Sequence, residues 1–142
     1  MANHIVYFIH ILGAISMGFY LFLPFMVTKM TALPKPSQAG YVRALYHVNK
    51  VSLYIIILQL LTGGYLISVA NVPATWSVVV ILLLVVVGGL ISMAGAKMKR
   101  IIHELEEGRD AKAEAGKVRT FAYLTFIALL LMVLFMVFPH LL

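Results

Sequence analysis

One histidine, His10, stands in the middle of chemistry-poor surroundings: Ile5 to Val27 reads IVYFIHILGAISMGFYLFLPFMV and holds no other histidine, acid or basic residue. At about 1.5 Å per residue this run is long enough to cross a hydrocarbon core of roughly 30 Å as a helix, which puts the imidazole inside a bilayer. Ionisable side chains at such depth are costly, face the bundle interior and raise a functional hypothesis with a partner to be named. His10, Gly13 or Ala14, Met17, Tyr20 or Leu21, and Pro24 recur at spacings of three and four, so they share one helical face. That face joins an imidazole nitrogen, a small residue beside it and polarisable or aromatic surface below. A porphyrin requires this set: an axial ligand, close approach of the ring plane, and apolar walls. The same residues fit a simpler arrangement, in which Gly13 and Gly18 permit helix packing and His10 hydrogen-bonds a neighbouring helix.

The other candidates follow from position. Gln59 is an amide near mid-bilayer that must be hydrogen-bonded, either to a neighbouring helix or to a ligand carboxylate or quinone oxygen. With Thr62, Gly63, Gly64 and Tyr65 it lies at the depth of His10 on the second apolar run. Met132 stands at matching depth on the last run, as a core methionine or as a second axial ligand. His47 falls at the opposite end of its helix, something like 20 Å from His10 in depth, so the two cannot hold one iron within a protomer. His103 belongs to a charged stretch with Glu104 and Glu107, and His4 and His140 are terminal. There is no cysteine, which removes disulfides, thiolate metal sites and covalent c-type haem attachment.

These residues need elements to position them. The chain is 63% hydrophobic, has a mean hydropathy of +1.02, and carries 11% charged residues against roughly 25% in soluble domains. It is therefore read as one integral membrane domain, all-α, with four spanning helices at about 5–28, 40–69, 76–107 and 116–138. LPKPS closes the first helix, Pro73 follows the second, Trp76 leads the third, Gly108 stops it, and Pro139 lies beyond the fourth. Gly88, Ser92 and Ala96, with Gly89 and Gly95 beside them, form a small-residue stripe suited to close backbone approach. No repeat of fixed period is evident. The net charge of +6 comes from Lys29, Lys35, Arg43 and Lys50 in the first loop and from Lys97 to Arg119 in the third. Cations confined to those loops point to lipid contact and orientation rather than to nucleic acid, and the positive-inside rule puts both termini and the Ala70 to Thr75 turn outside. No acid, lysine or arginine falls within a span, which argues against a proton pump or voltage sensor.

The segment FIHILGAISMGFYLFLPFMV, which reads H-I-x-G-x-x-x-x-G-x-x-x-x-x-P from His10 to Pro24, resembles the first helix of small four-helix bacterial membrane proteins, the HemJ-type protoporphyrinogen oxidases and CopD-like proteins. The similarity extends loosely through ALYHVNKVSLYIIILQLLTGGYL, the tryptophan-led third helix, and RTFAYLTFIALLLMVLFMVFPHL. The resemblance implies non-covalent haem b with His10 as the iron ligand, around which the spacing on the first helix places Gly13 and Met17 and matching depth on the second places Gln59 and Gly63. It also implies a place in the bacterial inner membrane, with electron transfer, sensing or haem handling as the role. A quinone or other membrane redox partner and a homo-oligomer are both compatible with it. The HemJ-type family has a lysine shortly after the tryptophan of the third helix, where this chain has Ser77 to Val80, and an arginine after the first-helix proline, where it has Phe25. The missing cation separates oxidase chemistry from the haem site. A cofactor-free accessory subunit is the remaining class.

Overall fold

The computed structural model describes all 142 residues. It is an all-α bundle of α1 (Ala2–Met17), α2 (Phe19–Thr31), α3 (Lys35–Val69), α4 (Ala74–Glu106) and α5 (Lys112–Val137), followed by one 3₁₀ turn, Pro139–Leu141. Taken together, α1 and α2 make one span, so four helical segments are long and apolar enough to cross a membrane. Phe8, Ile15, Phe22, Phe25, Leu61, Leu82 and Val85 stand outward and exposed. Such a surface is intolerable in water and is what lipid tails cover, so the chain is a multi-pass membrane protein in contact with the bilayer.

The buried positions advance by alternating steps of three and four on every helix. On α4 they are Val80, Leu84, Val87, Ile91, Ala94, Met98 and Ile101; on α5, Ala115, Val118, Ala122, Thr125, Leu129 and Met132. This is the seam of a left-handed bundle. On α3 the same frame runs through Val42, Leu45, Asn49, Ser52 and Gln59, and the seam turns polar halfway along. Four of the five buried polar side chains (Asn49, Ser52, Gln59 and Thr62) belong to α3, the helix to which α1, α2 and α4 are hydrogen-bonded.

Helix ends differ from the sequence reading in instructive ways. α3 begins at Lys35 rather than near residue 40, with Pro36 inside its first turn. Proline is admissible there because the first-turn N–H groups have no helical acceptor. Gly108 does stop α4: at φ +73 it is left-handed, and Arg109 N–H closes back on Glu104 O at 2.9 Å.

The first span is not one continuous helix. At Gly18 the ladder tightens, with Gly18 N–H donating to Ile15 O at 2.9 Å and Leu21 N–H to Gly18 O at 3.0 Å. Pro24, buried six residues on, has no N–H to offer Tyr20 O and its ring crowds that carbonyl. A Cβ at position 18 would lie 2.9 Å from Ile15 O, so glycine is what the tightened turn admits. The break redirects the span: α1 packs on α3, whereas α2 packs on α5 and touches α3. α4 and α5 pack closely together, and α3 packs on α4.

The expected small-residue stripe is not the packed face of α4. Ser92, Ala96 and Gly89 are exposed, and Gly88 meets only Ile56, at an ordinary 3.6 Å. The close approach is made by Gly95, where a Cβ would come within 2.5 Å of Asn49 Nδ2.

Candidate functional site

Between the α1–α3 pair and the α4–α5 pair lies a cavity of about 420 Å³. His10, Ala14 and Met17 of α1, Gln59, Gly63 and Gly64 of α3, Val80 and Leu84 of α4, and Leu129 and Met132 of α5 line it. Every span contributes to its wall, and the size falls within the roughly 300–1,000 Å³ of cofactor and small-molecule sites. Tyr7, Ala70, Val72 and Trp76 stand at its outer end, and Trp76 Nε1–H donates to Phe135 O at 2.7 Å, which ties α4 to α5 there.

His10 is half-buried in this wall. Its Nδ1 lies 2.8 Å from Thr62 Oγ1, and Thr62 Oγ1 also lies 2.8 Å from Leu58 O. Thr62 has one hydroxyl hydrogen; when it goes to Leu58 O, Nδ1–H donates to Thr62, and in either tautomer Nδ1 is the ring nitrogen that faces Thr62. With Nδ1–H donating, the Nε2 lone pair is left without a protein partner. A ring held by its Nδ1–H with a bare Nε2 is the orientation found in metal-ligating histidines. This orientation follows from the Thr62 hydrogen bond and not from the helical spacing.

Gln59 stabilises the same crossing from below: its Nε2–H donates to His10 O at 2.9 Å. The neighbouring-helix partner expected for Gln59 is thus α1, and the second N–H of its amide stays open to an acceptor oxygen. Its Oε1 is buried and without a hydrogen-bond partner. Only a donor such as a hydroxyl or an N–H matches it.

Two glycines also prove to be packing positions. A Cβ on Gly13 would come within 2.7 Å of Gln59 Nε2, and one on Gly63 within 3.1 Å of His10 Cε1. The gap expected at Gly13 is filled by the Gln59 amide, and Gly13 does not line the cavity. Open space beside His10 is found instead at Ala14 and Gly64, the latter with nothing within 4 Å of the place a Cβ would occupy. Met17 and Met132 are buried in the wall as expected. The remaining neighbour from the sequence reading, Tyr65, turns to the chain start and donates to Asn3 Oδ1 at 2.8 Å.

His47 is exposed and lies twelve residues before Gln59 on α3, about 18 Å along the helix axis, so it does not share the site. His103 is exposed and pairs with Glu107 at 3.1 Å, and no three His, Asp or Glu side chains converge to hold a metal ion. His4 and His140 are exposed.

The residue that sequence reasoning passed over is Asn49. It is 1% exposed, accepts from Tyr20 O–H at 2.8 Å and donates to Ile91 O at 3.1 Å, joining α2, α3 and α4 in one polar knot. Gln59 is thus not the only amide within the bundle. The signal was present: Asn49 lies ten residues before Gln59, on the same three–four frame, but its neighbours His47 and Lys50 suggested an interfacial segment.

No lysine or arginine lines the cavity, so a carboxylate inside it gains no ion pair. A search of protein families, curated proteins and solved structures finds no match to this chain.

Proposed function

We propose that the chain is a non-covalent haem b-binding membrane protein of the bacterial inner membrane, with both termini outside and with electron transfer, sensing or haem handling as its role. One observation carries this reading: His10 offers an unpartnered Nε2, oriented through Nδ1 by Thr62, in the wall of an apolar cavity to which all four spans contribute. The donor set fits an iron porphyrin. His10 would hold the iron, Thr62 would set the ring, and Met17, Val80, Leu84 and Leu129 would exclude water. Met132, in the same wall, offers a thioether that could supply a further iron ligand. Haem would supply reversible one-electron transfer. A quinone-type partner matches Gln59 Oε1 in its reduced form, because only the hydroquinone has a hydroxyl to give to it.

The HemJ-like oxidase is the runner-up. The absence of a lysine at Ser77 to Val80 sets this chain apart from the oxidase pattern, whereas the absence of any cation in the cavity wall bears on both readings, since haem b and a porphyrinogen carry the same two propionates. A cofactor-free accessory subunit has its own supporting observation, since the His10–Thr62 and Gln59–His10 bonds by themselves hold α1 on α3.

The test is the absorption spectrum of protein purified from haem-replete cells. The haem reading expects a Soret band that is lost in His10→Ala and a haem affinity lowered about 10–100-fold in Thr62→Val. Colourless wild-type protein, with His10→Ala lowering Tm alone, selects the accessory reading and rejects the other two. Turnover of protoporphyrinogen by the coloured protein selects the oxidase.

A further inference from the structure

The cytosolic end of α4 carries a second feature, separate from the cavity. Lys97, Lys99, Arg100 and His103, with Ala96, enclose a shallow cleft of about 370 Å³. Its cations are arranged around one carboxylate on the neighbouring helix. Glu114 lies 3.8 Å from Arg100, 3.9 Å from Lys97 and 3.2 Å from Lys117, with a side chain only 14% exposed. One acid therefore holds three cations in place without neutralising them, and Lys99 has no acidic partner. The other acid nearby, Glu107, is shared between His103 and Arg109. The corner keeps an excess of positive charge, with Lys99 free to meet an anion and Lys97 and Arg100 within ion-pair range of Glu114.

What lies next to this corner indicates the kind of anion. Ala96 closes the cleft, and Ser92 and Gly89 continue along α4 from it at steps of four and three, all exposed. They are exposed residues with little or no side chain beside the exposed Val85, Val86 and Met93, so α4 presents a low strip of surface on its lipid-facing side running from the cations toward mid-bilayer. A cationic corner at the membrane surface continued by an uncovered low strip has the shape of a headgroup above a tail.

We propose that this corner is a binding site for an anionic glycerophospholipid, its phosphate at Lys97, Lys99 and Arg100 and one acyl chain along Ala96, Ser92 and Gly89. The charge complementarity selects a phosphodiester, and the strip selects a lipid over free phosphate.

Native mass spectrometry of the wild-type protein in nanodiscs, with phosphatidylglycerol competing against phosphatidylcholine, tests the site. One retained phosphatidylglycerol is expected. Lys99→Gln should weaken that preference about fivefold, as the loss of one surface cation does. Ala96→Phe should weaken it by covering the strip. Arg43→Gln, which removes an equal charge from the Arg43–Glu106 pair on another face, should leave it unchanged. Lys99 is exposed and unpaired, so its variant folds, and a thermal melt confirms that for each protein. Equal loss of preference in Arg43→Gln and Lys99→Gln would reduce the effect to bulk charge and overturn the site. Displacement of the lipid by millimolar inorganic phosphate, or an unchanged preference in Ala96→Phe, would overturn the lipid as ligand.

Discussion

At the scale of single residues, the bundle is specified by atoms that have no room or no alternative partner. Gly95 is the clearest case. Gly95→Ala places a methyl 2.5 Å from Asn49 Nδ2, and overpacking of this kind costs about 1–3 kcal/mol. Gly89→Ala on the same helix meets nothing within 4 Å and should leave Tm unchanged or raised. Thermal melts of the two variants in one detergent check the contrast. Asn49 is the second case. Asn49→Ala removes the acceptor of the wholly buried Tyr20 hydroxyl and leaves it Ser52 alone, at about 1–3 kcal/mol. Adding Tyr20→Phe removes that hydroxyl, so the double variant should be less destabilised than the sum of the single ones, and a double-mutant cycle measures the coupling. The partners of Asn49 and of His10 were not legible in the chain, because a hydrogen bond between residues 29 or 52 positions apart depends on which helices meet.

At the scale of elements, the broken first span does most to create the site. An unbroken helix from Ala2 to Thr31 would follow one neighbour along its length, whereas the turn at Gly18 lets α1 stay on α3 while α2 moves to α5. The cavity occupies the region where the two pairs have parted. Pro24→Ala restores an N–H for Tyr20 O and removes the ring that crowds it. Slower hydrogen–deuterium exchange across residues 18–24 and a higher Tm are expected, together with a smaller cavity and weaker binding of any apolar ligand. Unchanged exchange there would show that Gly18, and not Pro24, imposes the break. The sequence placed Gly18 and Pro24 on the helix, but their joint effect on its direction depends on what each half packs against.

At the scale of the whole molecule, the chain is a bundle tied by polar contacts at three depths. Trp76 to Phe135 O and Tyr65 to Asn3 close the outer end, His10, Thr62, Gln59 and Asn49 hold the middle, and Arg43–Glu106 with the Glu114 cluster joins the inner ends. The inner ion pairs are exposed and contribute about 0–1 kcal/mol each, so the buried contacts matter more. The orientation is directly testable, because the chain has no cysteine of its own. In intact cells, Asn71→Cys should react with a membrane-impermeant maleimide and Ala113→Cys should not; the reverse pattern would invert the topology drawn from the basic loops.

What the sequence determined by itself was the solvent and the architecture. Apolar runs of spanning length leave the backbone no choice but to satisfy itself in helices, and the three–four spacing of His10, Gly13, Met17 and Pro24 marks one face of the first. It also placed His10, Gln59, Gly63 and Met132 at one depth, since depth is counted along a helix. Tertiary structure decided how those residues are used: which nitrogen of His10 is free, which end of Gln59 bonds α1, and that Gly13 packs against an amide while Ala14 and Gly64 stand beside open space. Depth depends on position along one helix, but hydrogen-bond direction and cavity shape depend on the rotation of each helix against its neighbours, which only the packed bundle settles.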